Sequence, residues 1–250
     1  MFNNQKSFIN DLPIVVKNLI LINILMWFAT IILPDSIKID LRSLLGLHYF
    51  GSQNFKPVQI ISYMFMHAGF EHLFFNMFAL FMFGSVIERT WGAKRFLIFY
   101  LVTGIGAGLV QELTLYIQIQ NAQAGLSPVM LQEVYTKGAN VLAQGMNYSD
   151  AVVGKLNHLL NTPTVGASGA VFGLLLAFGI MFPNMPLFIM FIPIPVKAKY
   201  VVIGYGLLEF FFGVANRSGD NIAHFAHLGG MLFGFLLILW WKKRKTNFYN

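Results

Sequence analysis

The amino-acid sequence predicts an all-α, polytopic membrane protein built as a bundle of six transmembrane helices. Three observations lead to this prediction. Hydrophobic residues make up 56% of the 250 residues and charged residues only 11%, against roughly 25% charged in an average soluble domain. Six stretches approach the roughly 20 apolar residues that a spanning helix needs. The segments between those stretches are polar or rich in proline.

The six predicted spans form one membrane domain, residues 14–241, between a short N-terminal segment, 1–13, and a basic tail, 242–250. No A-x-A cleavage site ends the first apolar run, so we interpret it as a retained span and not as a signal peptide. The fourth and fifth spans are short, which is tolerable where helices tilt or begin inside the protein. The predicted spans are 14–34, 70–88, 95–117, 166–183, 198–214 and 222–241.

Two further segments lie outside the predicted spans. Residues 118–162 form a polar insertion, which we expect to be an extramembrane loop with one or two surface helices. Residues 183–195 are apolar but contain four prolines. Prolines at that density stop a regular helix, so we expect an interfacial connector and not a seventh span.

The net charge of +7 is best explained by membrane orientation. With six spans both termini share a side, and eleven of the 17 Lys and Arg residues fall on that side. An excess of Lys and Arg marks the cytoplasmic side. We therefore expect cytoplasmic termini, a bacterial inner-membrane location and no nucleic-acid partner. Cysteine is absent, which excludes a thiol nucleophile and Cys-ligated zinc.

Polar and ionisable groups inside spans are costly, so they indicate functional sites. In this chain they gather near the predicted outer ends of the helices, which suggests one shared cavity. Glu209 in the fifth span does not fit that grouping; it is protonated or pairs with a neighbouring helix. The grouped residues are His67, Glu71, His72, Asn76, Ser168, His224 and His227.

Ser168 stands at the start of the fourth span, between Gly166 and Gly169. A helix N-terminus favours developing negative charge, so this serine is a candidate nucleophile. The alternative is a packing role, because Gly169 and Gly173 have the spacing of closely approaching membrane helices.

His227 is the candidate base that such a serine needs. His227, Gly230 and Gly234 share one helical stripe, so the two glycines allow close approach of a neighbour at which the imidazole then points. The fourth span is the expected neighbour. His224 is the competing base, but its i+3 position is His227 and not a glycine.

His72 and Asn76 share one face of the second span and offer the donors that an oxyanion hole requires. The alternative is hydrogen bonding between helices. A histidine-rich metal site is a further alternative involving His67. The HExxH pattern is absent and no acid stands at ligand spacing, so we expect no metal and no cofactor.

Three segments together resemble the rhomboid intramembrane serine proteases: HAGFEHLFFN, GASG and AHLGGMLFG, within residues 55–240. The resemblance implies a Ser168–His227 dyad without an acid, acting in the lipid bilayer on transmembrane protein substrates. It implies an oxyanion hole from His72, Asn76 and the Ser168 backbone N–H, with His67 in support. It also implies a structural role for Glu88 at the end of the second span.

Two departures from the family pattern stand out. Many members carry Trp-Arg before the second span, where this chain has Val58-Gln59, and some carry tyrosine at the place of Phe172, which keeps the ring but lacks the hydroxyl. Neither removes a catalytic group. Two other functions remain open at this point: an inactive rhomboid-like protein that binds transmembrane clients, and a transporter of unrelated mechanism.

Overall fold

The computed structural model describes residues 11–37, 40–188, 194–215 and 222–244, and it confirms the all-α class. The described residues leave out part of the N-terminal segment and part of the basic tail. They also leave out four of the Lys and Arg residues counted above: Lys6, Lys38, Arg217 and Lys245. The helices are α1 (Ile14–Ile37), α2 (Leu41–Leu45), α3 (Gln59–Ser62), a 3₁₀ turn (Tyr63–Phe65), α4 (Phe70–Ala79), a π-helical turn (Leu80–Gly84), α5 (Ser85–Trp91), α6 (Ala93–Gln123), α7 (Pro128–Ala143), α8 (Ala151–Asn161), α9 (Ser168–Met181), α10 (Ala198–Ala215) and α11 (His224–Lys243).

Five stretches of the described helices are long and apolar enough to cross a membrane: Ile14–Leu33, Phe70–Trp91, Ala93–Gln123, Ala198–Ala215 and His224–Lys243. The remaining apolar helix, α9, has 14 residues, or about 21 Å at 1.5 Å per residue. That is shorter than the ~30 Å hydrocarbon core, so the count of six spans stays a prediction. Most of α9 is buried, and it packs against α6 and α11.

The second membrane helix is continuous from α4 through the π-helical turn into α5. Near its end, the Glu88 side chain reaches the beginning of α1. Its Oε1 accepts the Val15 N–H at 2.9 Å and its Oε2 accepts the Val16 N–H at 2.8 Å. The first N–H groups of a helix have no partner within the helix. Glu88 therefore caps α1, and this contact fits the structural role that the resemblance implied.

The insertion is mostly helical. α6 runs to Gln123 instead of ending near residue 117, and α7 and α8 follow after short connections. Each of these two helices has an N-cap in the sequence: the Ser127 side chain accepts the Met130 N–H, and the Asp150 side chain accepts the N–H groups of Val152 and Val153. The apolar faces of α6, α7 and α8 form a small second core of Leu115, Ile119, Val134, Val153, Leu156 and Leu160.

The proline-rich connector contains two short strands. β1 (Pro186–Phe188) pairs antiparallel with β2 (Pro195–Lys197), and residues 189–193 lie outside the described residues. β2 leads directly into α10. The sequence analysis predicted no strand here, because the density of prolines argued only against a helix.

Gln59 organises the loop that precedes the second membrane helix. Its side chain is fully buried and makes four hydrogen bonds. Oε1 accepts the N–H groups of His48 and Lys56 at 3.3 and 3.1 Å, and Nε2 donates to the carbonyls of Leu44 and Asn54 at 3.1 and 3.0 Å. Gln59 therefore links backbone groups from four positions of this loop through a single side chain.

Candidate active site

Ser168 is the first residue of α9, and its surroundings leave the N-terminus of that helix open. No side chain caps α9, so the first-turn N–H groups, that of Ser168 among them, have no partner from the helix itself. Gly166 holds the chain just before it with φ +130°, a conformation that L side chains rarely adopt. An antiparallel bridge between Leu47 and Thr164 fixes the approach to this turn.

His227 lies beside Ser168. Its Nε2 is 2.8 Å from Ser168 Oγ, within hydrogen-bond distance. The ring of Phe172, one turn below Ser168, stacks on the imidazole with centroids 4.3 Å apart and planes 7° from parallel. The stacked ring limits the orientations of the imidazole, so the serine and the histidine are held in register.

Glycines allow α9 and α11 to approach closely enough for this contact. A Cβ on Gly230 would lie 1.8 Å from the Gly169 carbonyl oxygen, so no side chain fits there. One turn further along, a Cβ on Gly234 would lie 3.5 Å from the Gly173 Cα. Gly230 therefore faces α9, whereas Gly234 faces both α9 and α6, where Phe99 and Thr103 lie even closer to its position.

The His72 ring lies near Ser168, next to Gly166. A Cβ on Gly166 would lie 2.8 Å from His72 Nε2 and 3.5 Å from Ser168 Oγ, so both groups border the position of Gly166. The Ala68 N–H donates to His72 Nδ1 at 3.4 Å. A neutral imidazole has one N–H, so this bond leaves the proton on Nε2, which borders Gly166.

Asn76 and His67 flank His72. The Asn76 amide donates one N–H to the His72 carbonyl at 2.8 Å; in the described part of the chain it forms no hydrogen bond to Ser168. His67 packs edge-on against His72, with ring centroids 5.1 Å apart. Both His67 nitrogens are buried without a hydrogen-bond partner among the described residues. Burial, and then the nearby His72, lower the pKa of His67 to about 3, so its ring is neutral at neutral pH.

Glu209 is the residue that the sequence analysis left unexplained, and the fold places it beside His227. Its Oε2 lies 2.6 Å from His224 Nδ1 and 2.9 Å from His227 Nδ1. The search for an acid at ligand spacing considered positions within one helix, whereas this acid comes from α10. Of the two alternatives given for Glu209, the contacts correspond to pairing with a neighbouring helix. His224, the competing base, contacts Glu209 through its Nδ1. The imidazole within hydrogen-bond distance of Ser168 Oγ is that of His227.

The fold and the site define a helical membrane protein in which a serine at the start of α9 and a histidine in the first turn of α11 lie side by side. A family model described as the rhomboid domain matches residues 54–132 and 134–244, well over half of the chain. The chain therefore belongs to the rhomboid family.

Curated relatives agree with this assignment. The chain is 26% identical to the putative rhomboid protease YdcA of Bacillus subtilis over 248 residues, 98% of this chain and 97% of the relative. It is 30% identical to the mitochondrial rhomboid protein 1 of Saccharomyces cerevisiae over 72% of this chain and 40% of the relative. It is 26% identical to the rhomboid protease AarA of Providencia stuartii over 70% and 52%. The chain thus spans about half the length, or less, of the yeast and Providencia relatives.

Proposed function

We propose that this protein is an intramembrane serine endopeptidase that cleaves transmembrane segments of membrane proteins, with Ser168 as nucleophile and His227 as general base. The observation that carries the proposal is the 2.8 Å contact between Ser168 Oγ and His227 Nε2. Serine attacks a peptide carbonyl only when a base takes its proton, and this contact is within the reach that such a transfer needs. The relatives that are named proteases support the same reading.

In the proposed reaction, Ser168 Oγ forms a bond to the substrate carbonyl carbon while its proton moves to His227 Nε2. The carbonyl oxygen becomes an oxyanion, which in this proposal accepts hydrogen bonds from the Ser168 N–H, His72 Nε2–H and the second N–H of the Asn76 amide. His227 then gives its proton to the leaving amine as the peptide bond breaks. Water, deprotonated in turn by His227, hydrolyses the acyl-enzyme.

The proposed substrates are transmembrane helices. In a helix each peptide carbonyl accepts a hydrogen bond from the N–H four residues further along the chain, so the helix must unwind locally before attack. Residues that weaken a helix, such as Gly or Pro near the cut, should therefore favour cleavage. The lipid bilayer is the medium of the reaction, and the proposal needs no metal or cofactor.

The proposed orientation places both termini in the cytoplasm and the site near the opposite face of a bacterial inner membrane. Its support is the distribution of Lys and Arg, which continues in the described residues with Lys242 and Lys243 at the end of α11. Cysteine substitutions at the two ends of the chain, tested with an impermeant thiol reagent, would check the orientation; labelling of intact cells at both ends would overturn it.

The test of the activity uses the purified full chain, reconstituted with a labelled single-span substrate. Ser168→Ala and His227→Ala should each lower cleavage by about 10³-fold or more, and the double variant should lose no more than either, because the two residues act as a unit. A fluorophosphonate probe should label the parent and not Ser168→Ala. Ser85→Ala is the matched control, since the Ser85 hydroxyl is buried without a hydrogen-bond partner among the described residues. Parental cleavage by Ser168→Ala would end the proposal.

A further inference from the structure

The carboxylate of Glu209 occupies the position that an orienting acid has in a serine-protease triad. Its side chain is 13% exposed, and the two imidazoles that it meets are 9% and 11% exposed, so the cluster is largely withdrawn from solvent. One oxygen, Oε2, lies within 3 Å of both Nδ1 atoms, at 2.6 Å from His224 and 2.9 Å from His227. Two imidazole nitrogens therefore lie close to one carboxylate oxygen.

With Glu209 ionised, this arrangement favours a proton on the His227 nitrogen that faces the carboxylate. An ionised carboxylate can only accept hydrogen bonds, so the nitrogen that faces it, Nδ1, bears the hydrogen. A neutral imidazole then presents its lone pair on Nε2, the atom 2.8 Å from Ser168 Oγ. The tautomer that Glu209 selects is thus the one that can accept a proton from the serine.

The contact with His227 is close but not aligned. The separation is 2.9 Å, whereas His227 Nδ1 forms no hydrogen bond of good geometry with any residue that the structure describes. A buried N–H without a partner is costly, and the Glu209 oxygen is the group within reach that can compensate it. Catalytic hydrogen bonds are often poorly aligned before substrate binds and tighten in the complex.

A metal ion is the other explanation for two histidines and a carboxylate whose ligand atoms lie within 4.8 Å of one another. Ligand bonds of about 2.0–2.1 Å in a tetrahedral zinc site would keep the ligand atoms about 3.3 Å apart. The observed separations from Oε2, 2.6 and 2.9 Å, are shorter than that and fall in the range of hydrogen bonds. The geometry therefore favours proton-mediated contacts over a shared ion.

We propose that Glu209 is a positioning residue for His227, so that this chain works with a Ser168–His227–Glu209 triad instead of a dyad; this inference rests on the proposed protease function. When Nε2 takes the serine proton, the ring becomes a cation whose Nδ1–H still faces Glu209. The negative charge 2.9 Å away stabilises that cation. No proton passes to Glu209; the proton leaves again from Nε2 to the leaving amine. His224, the second donor, holds the carboxylate in place.

The experiment compares Glu209→Gln, Glu209→Asp and the parent in the full chain, with Glu112→Gln as matched control. Glu112 is a buried glutamate of α6 that accepts the Phe50 N–H away from the site. We expect Glu209→Gln to lower kcat by about 10²- to 10⁴-fold with little change in KM, as expected when a triad acid is replaced by its amide. Glu209→Asp should recover part of kcat, and Glu112→Gln should match the parent.

A second readout does not depend on activity. ¹⁵N NMR of labelled histidines, with the His227 signal assigned by its loss in His227→Gln, should show the Nδ1–H tautomer in the parent. An Nε2–H tautomer in the parent would overturn the proposal even if the Glu209 variants failed to fold. Loss of activity in EDTA with recovery in zinc would also overturn it, because Glu209 would then be a metal ligand.

The two proposals can fail separately. If Ser168→Ala abolishes cleavage while Glu209→Gln keeps the parental kcat, the protease reading stands and the triad is wrong. If Ser168→Ala cleaves like the parent, the protease reading is wrong, and with it the catalytic role given to Glu209.

Discussion

Replacing Gly230 by alanine tests whether the close approach of α9 and α11 holds the serine and the histidine together. The added Cβ would lie 1.8 Å from the Gly169 carbonyl oxygen, whereas carbon and oxygen in contact stay about 3.3 Å apart. The helices must therefore separate by about 1.5 Å at this level. His227 lies one turn from Gly230, so the same shift would stretch its 2.8 Å contact with Ser168 to about 4.3 Å, beyond hydrogen-bond reach.

We expect Gly230→Ala to lower kcat by about 10²-fold, since a misplacement of about 1 Å in an active site has that effect. Overpacking should also lower the free energy of unfolding by about 1–3 kcal/mol. Substrate cleavage in proteoliposomes and thermal unfolding in detergent measure the two effects. Gly204→Ala is the matched control, because its Cβ would meet no atom within 4 Å. Parental turnover and parental stability in Gly230→Ala would refute the argument that this glycine sets the distance.

Three further predictions concern the loop and the turn around the site. Gln59→Ala removes four hydrogen bonds and should lower the free energy of unfolding by about 2–6 kcal/mol. Replacing the exposed Gln53 by alanine should change this free energy little. Equal denaturation midpoints for Gln59→Ala and the parent would contradict the role of Gln59. His67 is buried and neutral with its pKa lowered to about 3, so its contribution to stability is present above the unfolded pKa of ~6.5 and is lost as pH falls towards 3. Lowering the pH from 7 to 5 should therefore cost about 2 kcal/mol more in the parent than in His67→Phe, and identical pH dependence of thermal unfolding would contradict this. Gly166→Ala places a Cβ 2.8 Å from the His72 ring at a φ of +130°, so kcat should fall by about 10²-fold in a folded protein, and an unchanged kcat would show that the turn tolerates a side chain.

The sequence was sufficient for the parts of the site that depend on helical periodicity. The stripe formed by His227, Gly230 and Gly234 follows from spacing within a single helix, and the structure indeed turns it towards α9. Ser168 could be assigned to a helix start because it stands among small residues at the beginning of the fourth apolar stretch, and α9 indeed begins there. Such features are local, so a chain without coordinates already displays them.

Glu209 could not be assigned in this way, because its partners come from another helix. It stands five residues before the predicted end of the fifth span, and His227 stands five residues after the predicted start of the sixth span. Counting both positions from those neighbouring ends would have placed them at similar depth, and α10 does pack against α11. The hydrogen-bond partners of Gln59 and the pairing of β1 with β2 could not be predicted either. Both depend on backbone groups, which are the same for nearly every residue type and so leave no signal in the sequence.

The π-helical turn Leu80–Gly84 lets one membrane helix serve two different neighbours. A π turn adds one residue to the helical repeat, and each residue of an α-helix turns the chain by about 100°. His72, before the turn, thus lies near the serine, while Glu88, after the turn, contacts the beginning of α1. Deleting one residue of the turn would rotate the two halves relative to each other by about 100°. Either α1 would then lose the carboxylate that caps it, or His72 and Asn76 would turn away from Ser168.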